Sequence, residues 1–224
     1  MRRFLRDNGQ TLAFGALFLG ALVGQAFSGL AAVNERNLSE GFDPVGMGDY
    51  LTSSEFAVDV AENWQSEYLQ FFLFIVATVW LVQRGSPESR DPRSIGRESD
   101  EKQQVGSHTT TASPAWARAG GWRTALFSRS LGLTMAALFL LSWLAQFVAG
   151  RSAHNIERLA SFQDPVGWGG YLTSADFWNR SAQNWQSEFL AIASMTILSV
   201  YLRERGSPES KPVGAAHTVT EESG

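Results

Sequence analysis

No cysteine occurs anywhere in the 224 residues. That absence excludes a disulfide framework, a thiolate metal site, a cysteine nucleophile and a thiol-linked lipid anchor. Histidine is scarce as well, and His108, His154 and His217 are scattered along the chain rather than set in a metal-binding pattern. There is no nucleophile elbow, no His-Glu metal helix and no phosphate loop, so the motifs point to no catalytic residue, no metal and no cofactor. A strong excess of one charge is also missing. With 18 basic and 22 acidic residues the formal net charge is -4, and nucleic acid is not suggested as a partner.

What the chain does have is apolar sequence gathered into blocks. The mean hydropathy of -0.11 is an average over four such blocks and the polar stretches between them. Residues 11–33 and 130–149 carry no charge and are long enough to cross a hydrocarbon core of about 30 Å. Residues 64–82 and 185–202 are apolar apart from a few polar groups near their starts. All four read as membrane spans. Arg2, Arg3 and Arg6 ahead of the first block resemble the start of a signal peptide. The matching block in mid-chain cannot be one, so both are read as retained spans.

The match is extensive. Aligned without a gap at an offset of about 121 residues, residues 12–90 and 133–211 agree at about 35 of 79 positions. Asp43-Pro44-Val45-Gly46 returns as Asp164-Pro165-Val166-Gly167, and Tyr50-Leu51-Thr52-Ser53 as Tyr171-Leu172-Thr173-Ser174. Asn63-Trp64-Gln65-Ser66-Glu67 returns as Asn184-Trp185-Gln186-Ser187-Glu188. Arg84-Gly85-Ser86-Pro87-Glu88-Ser89 returns as Arg205-Gly206-Ser207-Pro208-Glu209-Ser210.

The expected fold is therefore an all-α membrane protein of four transmembrane helices, built as two tandem helix-loop-helix repeats. Residues 1–90 form the first repeat, with spans at about 11–33 and 64–83. Residues 91–125 form a polar linker expected to be disordered. Residues 126–211 form the second repeat, with spans at about 130–149 and 185–203, and 212–224 a disordered tail. Each repeat holds an even number of spans, so both enter from the same side and the repeats are parallel. About 14 of the 18 basic residues lie in the two tails and the linker, which places both termini and the linker on the cytoplasmic side. Trp116 and Trp122 beside Arg118 and Arg123 read as a short interfacial helix leading into the third span.

Within each outer loop, Asp-Pro followed by glycine predicts a turn. Thr52 with Glu55, and Thr173 with Asp176, predict the capped start of a helix. If that helix ran unbroken to Arg84, Glu67 would stand about 25 Å above it, near the outer interface. Asn63, Ser66 and Glu67 then share one face, with Asn184, Ser187 and Glu188 repeating it, and Gln65 and Gln186 beside them. Gln25 and Gln146, alone in apolar spans, are the expected hydrogen-bond partners across helices. Trp64 and Trp185 point elsewhere and suit a headgroup belt as interface anchors. Arg-Gly-Ser-Pro-Glu-Ser reads as a helix stop, in which Gly caps and Pro forbids continuation.

The motifs Asn8-Gly9-Gln10, Asn-Trp-Gln-Ser-Glu-Tyr/Phe-Leu and Arg-Gly-Ser-Pro-Glu-Ser together resemble a bacterial multi-pass membrane-protein family known only as a domain of unknown function. The resemblance covers both repeats, residues 7–211 without the linker. It implies a bacterial cytoplasmic (inner) membrane protein and brings no activity or site residue with it.

Three functional readings fit these residues. The first is a non-enzymatic helix-packing or partner-binding role in the lipid bilayer, the partner being a second copy or another membrane protein. The second is a small proton, cation or solute channel or carrier using Glu67 and Glu188, since ionisable groups at membrane depth are costly. The third is an enzyme acting on lipid or envelope substrates through Asp43 and Asp164, and the turn-forming context of both acids argues against it.

Overall fold

The computed structural model describes residues 2–220, and every regular element among them is helical. In chain order these are α1 (Arg2–Asp7), α2 (Gly9–Ser39), α3 (Met47–Leu51), α4 (Ser54–Ala77), α5 (Ala115–Arg118), α6 (Gly121–Phe127), α7 (Ser130–Ala160), α8 (Trp168–Leu172) and α9 (Ala175–Tyr201). A single 3-10 turn, Gly106–His108, lies in the linker. The tail reading for residues 221–224 falls outside the described residues.

The long helices follow from the apolar blocks but outrun them. Both α2 and α7 are 31 residues long, about 46 Å, with no proline to interrupt their hydrogen bonding. Both are long and apolar enough to cross a membrane, with mean hydropathies of 1.8 and 1.9 over their most apolar 18 residues. Within these stretches none of the residues of α2 and 11% of those of α7 are buried by the rest of the chain.

The residues group into two units, 1–60 with 145–169, and 61–144 with 170–224. In the first unit the two Asp-Pro turns are held in the same way. Asn34 on α2 accepts from the Val45 N–H at 2.7 Å and donates to the Val45 carbonyl at 3.1 Å. Asn155 on α7 does the same with Val166, at 2.8 and 3.1 Å. Asn37 and Arg158, one helical step further on, donate to the carbonyls of Asp43 and Asp164. Tyr50 of α3 is buried against Gly29 of α2, so closely that a methyl group at Gly29 would run into its hydroxyl. Arg36 pairs through one nitrogen with both oxygens of Glu55 at 2.8 and 2.7 Å, tying α2 to the first turn of α4.

The helix starts differ from the sequence reading by one residue. Ser53 and Ser174, not Thr52 and Thr173, accept from the backbone N–H three residues on, at Phe56 and Phe177. Each threonine hydroxyl turns back to a carbonyl of the preceding short helix, Gly48 or Gly170, and is lost to capping. Glu55 and Asp176 are freed for the contacts with Arg36 and with Tyr171 and Arg180.

The helix ends differ more, and the second unit shows why. α4 stops at Ala77 and α9 at Tyr201, short of Arg84 and Arg205. A continuing α4 would bond the Gln83 N–H to the Val79 carbonyl. Instead the Ser89 hydroxyl takes the Gln83 N–H at 2.7 Å, and the Gly96 N–H takes the Val79 carbonyl at 2.8 Å. At the end of α9 the Ser210 hydroxyl takes the Glu204 N–H at 2.9 Å, and Arg203 donates to the Val200 carbonyl at 3.1 Å. The last serine of Arg-Gly-Ser-Pro-Glu-Ser thus closes a loop in both copies. Gly85 and Gly206 sit inside these loops at φ +90° and +84°, where glycine alone is unstrained, and neither caps a helix.

In the linker, α5 and α6 are bridged by Trp116 against Trp122, edge to face at 6.0 Å, and by the Thr124 hydroxyl donating to the Trp116 carbonyl.

Candidate functional site

The duplicated Asn-Trp-Gln-Ser-Glu segment falls on α4 and α9, and in the second unit these two helices are joined by a ladder of polar contacts. Glu62 pairs with Arg180 at 3.1 Å. Three residues further on, the Trp185 indole N–H donates to Gln65 Oε1 at 2.8 Å, while the Gln65 amide donates to the Glu62 carbonyl at 3.1 Å. Next, the Ser66 hydroxyl lies 3.5 Å from Glu188 Oε1 and also donates to the Asn63 carbonyl at 2.9 Å. The Gln70 amide reaches the Glu188 carbonyl at 3.5 Å. Partners ascend in the same order on both helices, so α4 and α9 lie side by side in one direction.

Identical sequence does not produce identical environments along this seam. Gln65 and Ser66 are buried at 0% and 1% exposure, whereas Gln186 and Ser187 are exposed. Asn63 and Glu67 are exposed, while Asn184 and Glu188 are half-buried. Ser187 repeats the local bond of Ser66, donating to the Asn184 carbonyl. Trp64 is exposed. Trp185 is half-buried, its N–H taken by Gln65 and its ring 6.0 Å from Trp143 of α7. Trp143 also stacks on Phe139 and Phe177 and donates to the Ser181 hydroxyl at 3.3 Å, so an aromatic cluster flanks the seam. Gln25 is half-buried and Gln146 fully buried, and both belong to the first unit.

Below the seam the helices part around a groove of about 270 Å³, lined by Gln70, Phe71, Phe74, Ile192, Met195 and the Glu88 carboxyl from the following loop. Glu88 meets its counterpart Glu209. Burial first, then the hydrogen bond to Glu209 and its charge, push the Glu88 carboxyl up to about 7. At the seam's upper end the Tyr171 hydroxyl donates to Asp176 at 3.1 Å, and burial raises its pKa. Further down, the Ser86 and Ser199 hydroxyls lie 3.4 Å apart.

Sequence reasoning passed over several of these residues. Asn34 with Asn155, Tyr50 with Tyr171, and the closing serines Ser89 with Ser210 each recur at the repeat offset, and that recurrence was the available signal. Glu62, Arg180 and Trp143 carried none, because their counterparts at the repeat offset are Gln183, Asp59 and Leu22 and the contacts that join the helices are distant in sequence.

In chemical terms the seam is a set of donors and acceptors largely occupied by one another. Asp43 and Asp164 stand exposed on their turns. Among the described residues no three His, Asp or Glu side chains converge as a metal site would need. No match was found among curated proteins or among solved structures. Residues 1–222, which include both turns, both loops and the whole seam, match the family described as Domain of unknown function (DUF6766), and the chain belongs to that family.

Proposed function

We propose that this chain is a multi-pass protein of the bacterial cytoplasmic membrane, crossing it four times as two parallel repeats with both termini inside, and that its role is non-enzymatic helix packing or partner binding. One observation carries the membrane reading: in the most apolar stretches of α2 and α7, 0% and 11% of the residues are buried by the chain. Phe14, Leu17, Phe27, Leu140, Leu141 and Leu144 are all largely exposed on them. Water does not tolerate apolar surface on that scale, and lipid or another apolar helix does. At about 36 and 40 Å, α4 and α9 are also long enough to cross. Their common direction supports the parallel arrangement.

The seam supports the packing role. Gln65 and Ser66 are buried and hydrogen-bonded within the chain, as polar groups that join helices are. Glu67 and Glu188 remain the residues a proton or cation carrier would use, and the two roles separate in one measurement. In liposomes containing the purified protein, the packing role gives no proton or cation flux above empty vesicles, and the Glu67→Gln, Glu188→Gln double variant leaves that unchanged. Flux in the parent that the double variant abolishes would replace the packing role with transport.

A further inference from the structure

We propose that segment 211–220 is a latch that closes on the first Arg-Gly-Ser-Pro loop at Gly85 and holds the chain after α4 to the end of α9. Lys211 is the anchor. Its side chain is 1% exposed, and four carbonyls, those of Gly85, Ala216, His217 and Val219, lie within hydrogen-bond distance of its ammonium, one more than its three hydrogens can each take singly. Three of these belong to the segment itself, so the buried charge folds the segment around it. The fourth fastens it to Gly85. From the other side the Gly85 N–H donates to the Thr220 hydroxyl at 2.9 Å, so both backbone polar groups of Gly85 are taken by the segment.

The middle of the segment is tied to the end of α9 and the residues just after it. His217 Nδ1 lies 3.0 Å from the Val200 carbonyl, its ring packs on Tyr201 at 5.5 Å, and Arg203 donates to the Ala215 carbonyl at 3.0 Å. A buried ammonium is costly unless fully bonded, so this anchor is either shut or released, with little between.

The duplication supplies the contrast that makes the latch visible. The second loop has the same sequence, the same closing serine and the same glycine conformation. Yet Gly85, Ser86 and Pro87 are buried, whereas Gly206 and Pro208 are exposed. A methyl group at Gly85 would strike the His217 carbonyl, and one at Gly206 would meet nothing within 4 Å. Arg90, the counterpart of Lys211, bonds instead to Gly96 and Glu98 within the linker. The latch therefore covers one loop of an otherwise equal pair. Glu88, three residues beyond Gly85, lines the groove between α4 and α9, so release of the latch frees one wall of that groove.

Hydrogen exchange on the full-length protein in detergent tests this directly, because residues 84–89 and 205–210 are identical in sequence and share intrinsic exchange chemistry. The latch predicts that the 84–89 amides exchange at least about tenfold more slowly than those of 205–210. Lys211→Met removes most of that difference. Gly85→Ala also removes it, whereas Gly206→Ala, with the same backbone strain and no latch to displace, leaves 84–89 protected. Equal exchange of the two loops in the parent protein overturns the proposal. So does protection of 84–89 that survives both Lys211→Met and Gly85→Ala.

Discussion

Asn34 and Asn155 show how much a single side chain settles here. Each offers its amide to both backbone groups of a valine in the Asp-Pro turn, fixing the turn against its helix with two hydrogen bonds. Neither residue is apolar, charged or part of the turn, so composition and turn chemistry pass over it, and only its recurrence marks it. Glu88 is the opposite case. It was legible as part of a duplicated motif, but its chemistry comes from burial and then from meeting Glu209, which no local pattern encodes. Its carboxyl is raised from 4.5 to about 7, so the folded chain holds that proton more tightly than the unfolded chain does. The stabilisation is complete below the ordinary carboxylate pKa and is lost as pH rises through about 7. Thermal unfolding in detergent is expected to show a midpoint that falls between pH 5 and pH 8, and Glu88→Gln should flatten that dependence. An undiminished slope in the variant would assign the effect to another group.

At the scale of elements, hydropathy located α2 and α7 but not their ends. The apolar blocks close at residues 33 and 149, and the helices continue to Ser39 and Ala160 because backbone bonding extends into polar sequence. In α4 the error ran the other way. Residues 79–82 are apolar and yet leave the helix, and Ser89 and Gly96 capture the Gln83 N–H and the Val79 carbonyl that a continuing helix would have bonded to each other. Element packing also distinguishes glycines that the sequence leaves equal. Gly29→Ala places a methyl group on the hydroxyl end of Tyr50, which at 2% exposure has nowhere to move. This overpacking is expected to cost about 1–3 kcal/mol. Gly24→Ala faces open space in the same helix and is expected to be neutral or to stabilise by up to about 1 kcal/mol. Unfolding midpoints of the two variants, measured side by side in one detergent, check the pair. Similar values for both would remove the α2–α3 contact as their cause.

For the whole molecule, the absence of cysteine is an experimental advantage. A single cysteine placed at exposed Ser39, Ser107 or Ser161 reports its own side of the membrane with no background thiol. The four-span arrangement predicts that a membrane-impermeant maleimide labels Ser39→Cys and Ser161→Cys from outside intact cells, and Ser107→Cys only after the membrane is opened. Labelling of Ser107→Cys together with Ser39→Cys would mean that the chain between them crosses an even number of times, and the four-span reading would fail. The sequence alone determined the helical class, the two apolar helices and the duplicated segments, because hydropathy and recurrence are local properties that survive without a fold. Tertiary structure alone decided which copy of each segment is used. Gln65 is buried and Gln186 exposed, and Gly85 is latched while Gly206 is open. Two identical stretches in one chain meet different neighbours, and it is the neighbours that set burial, hydrogen bonding and charge.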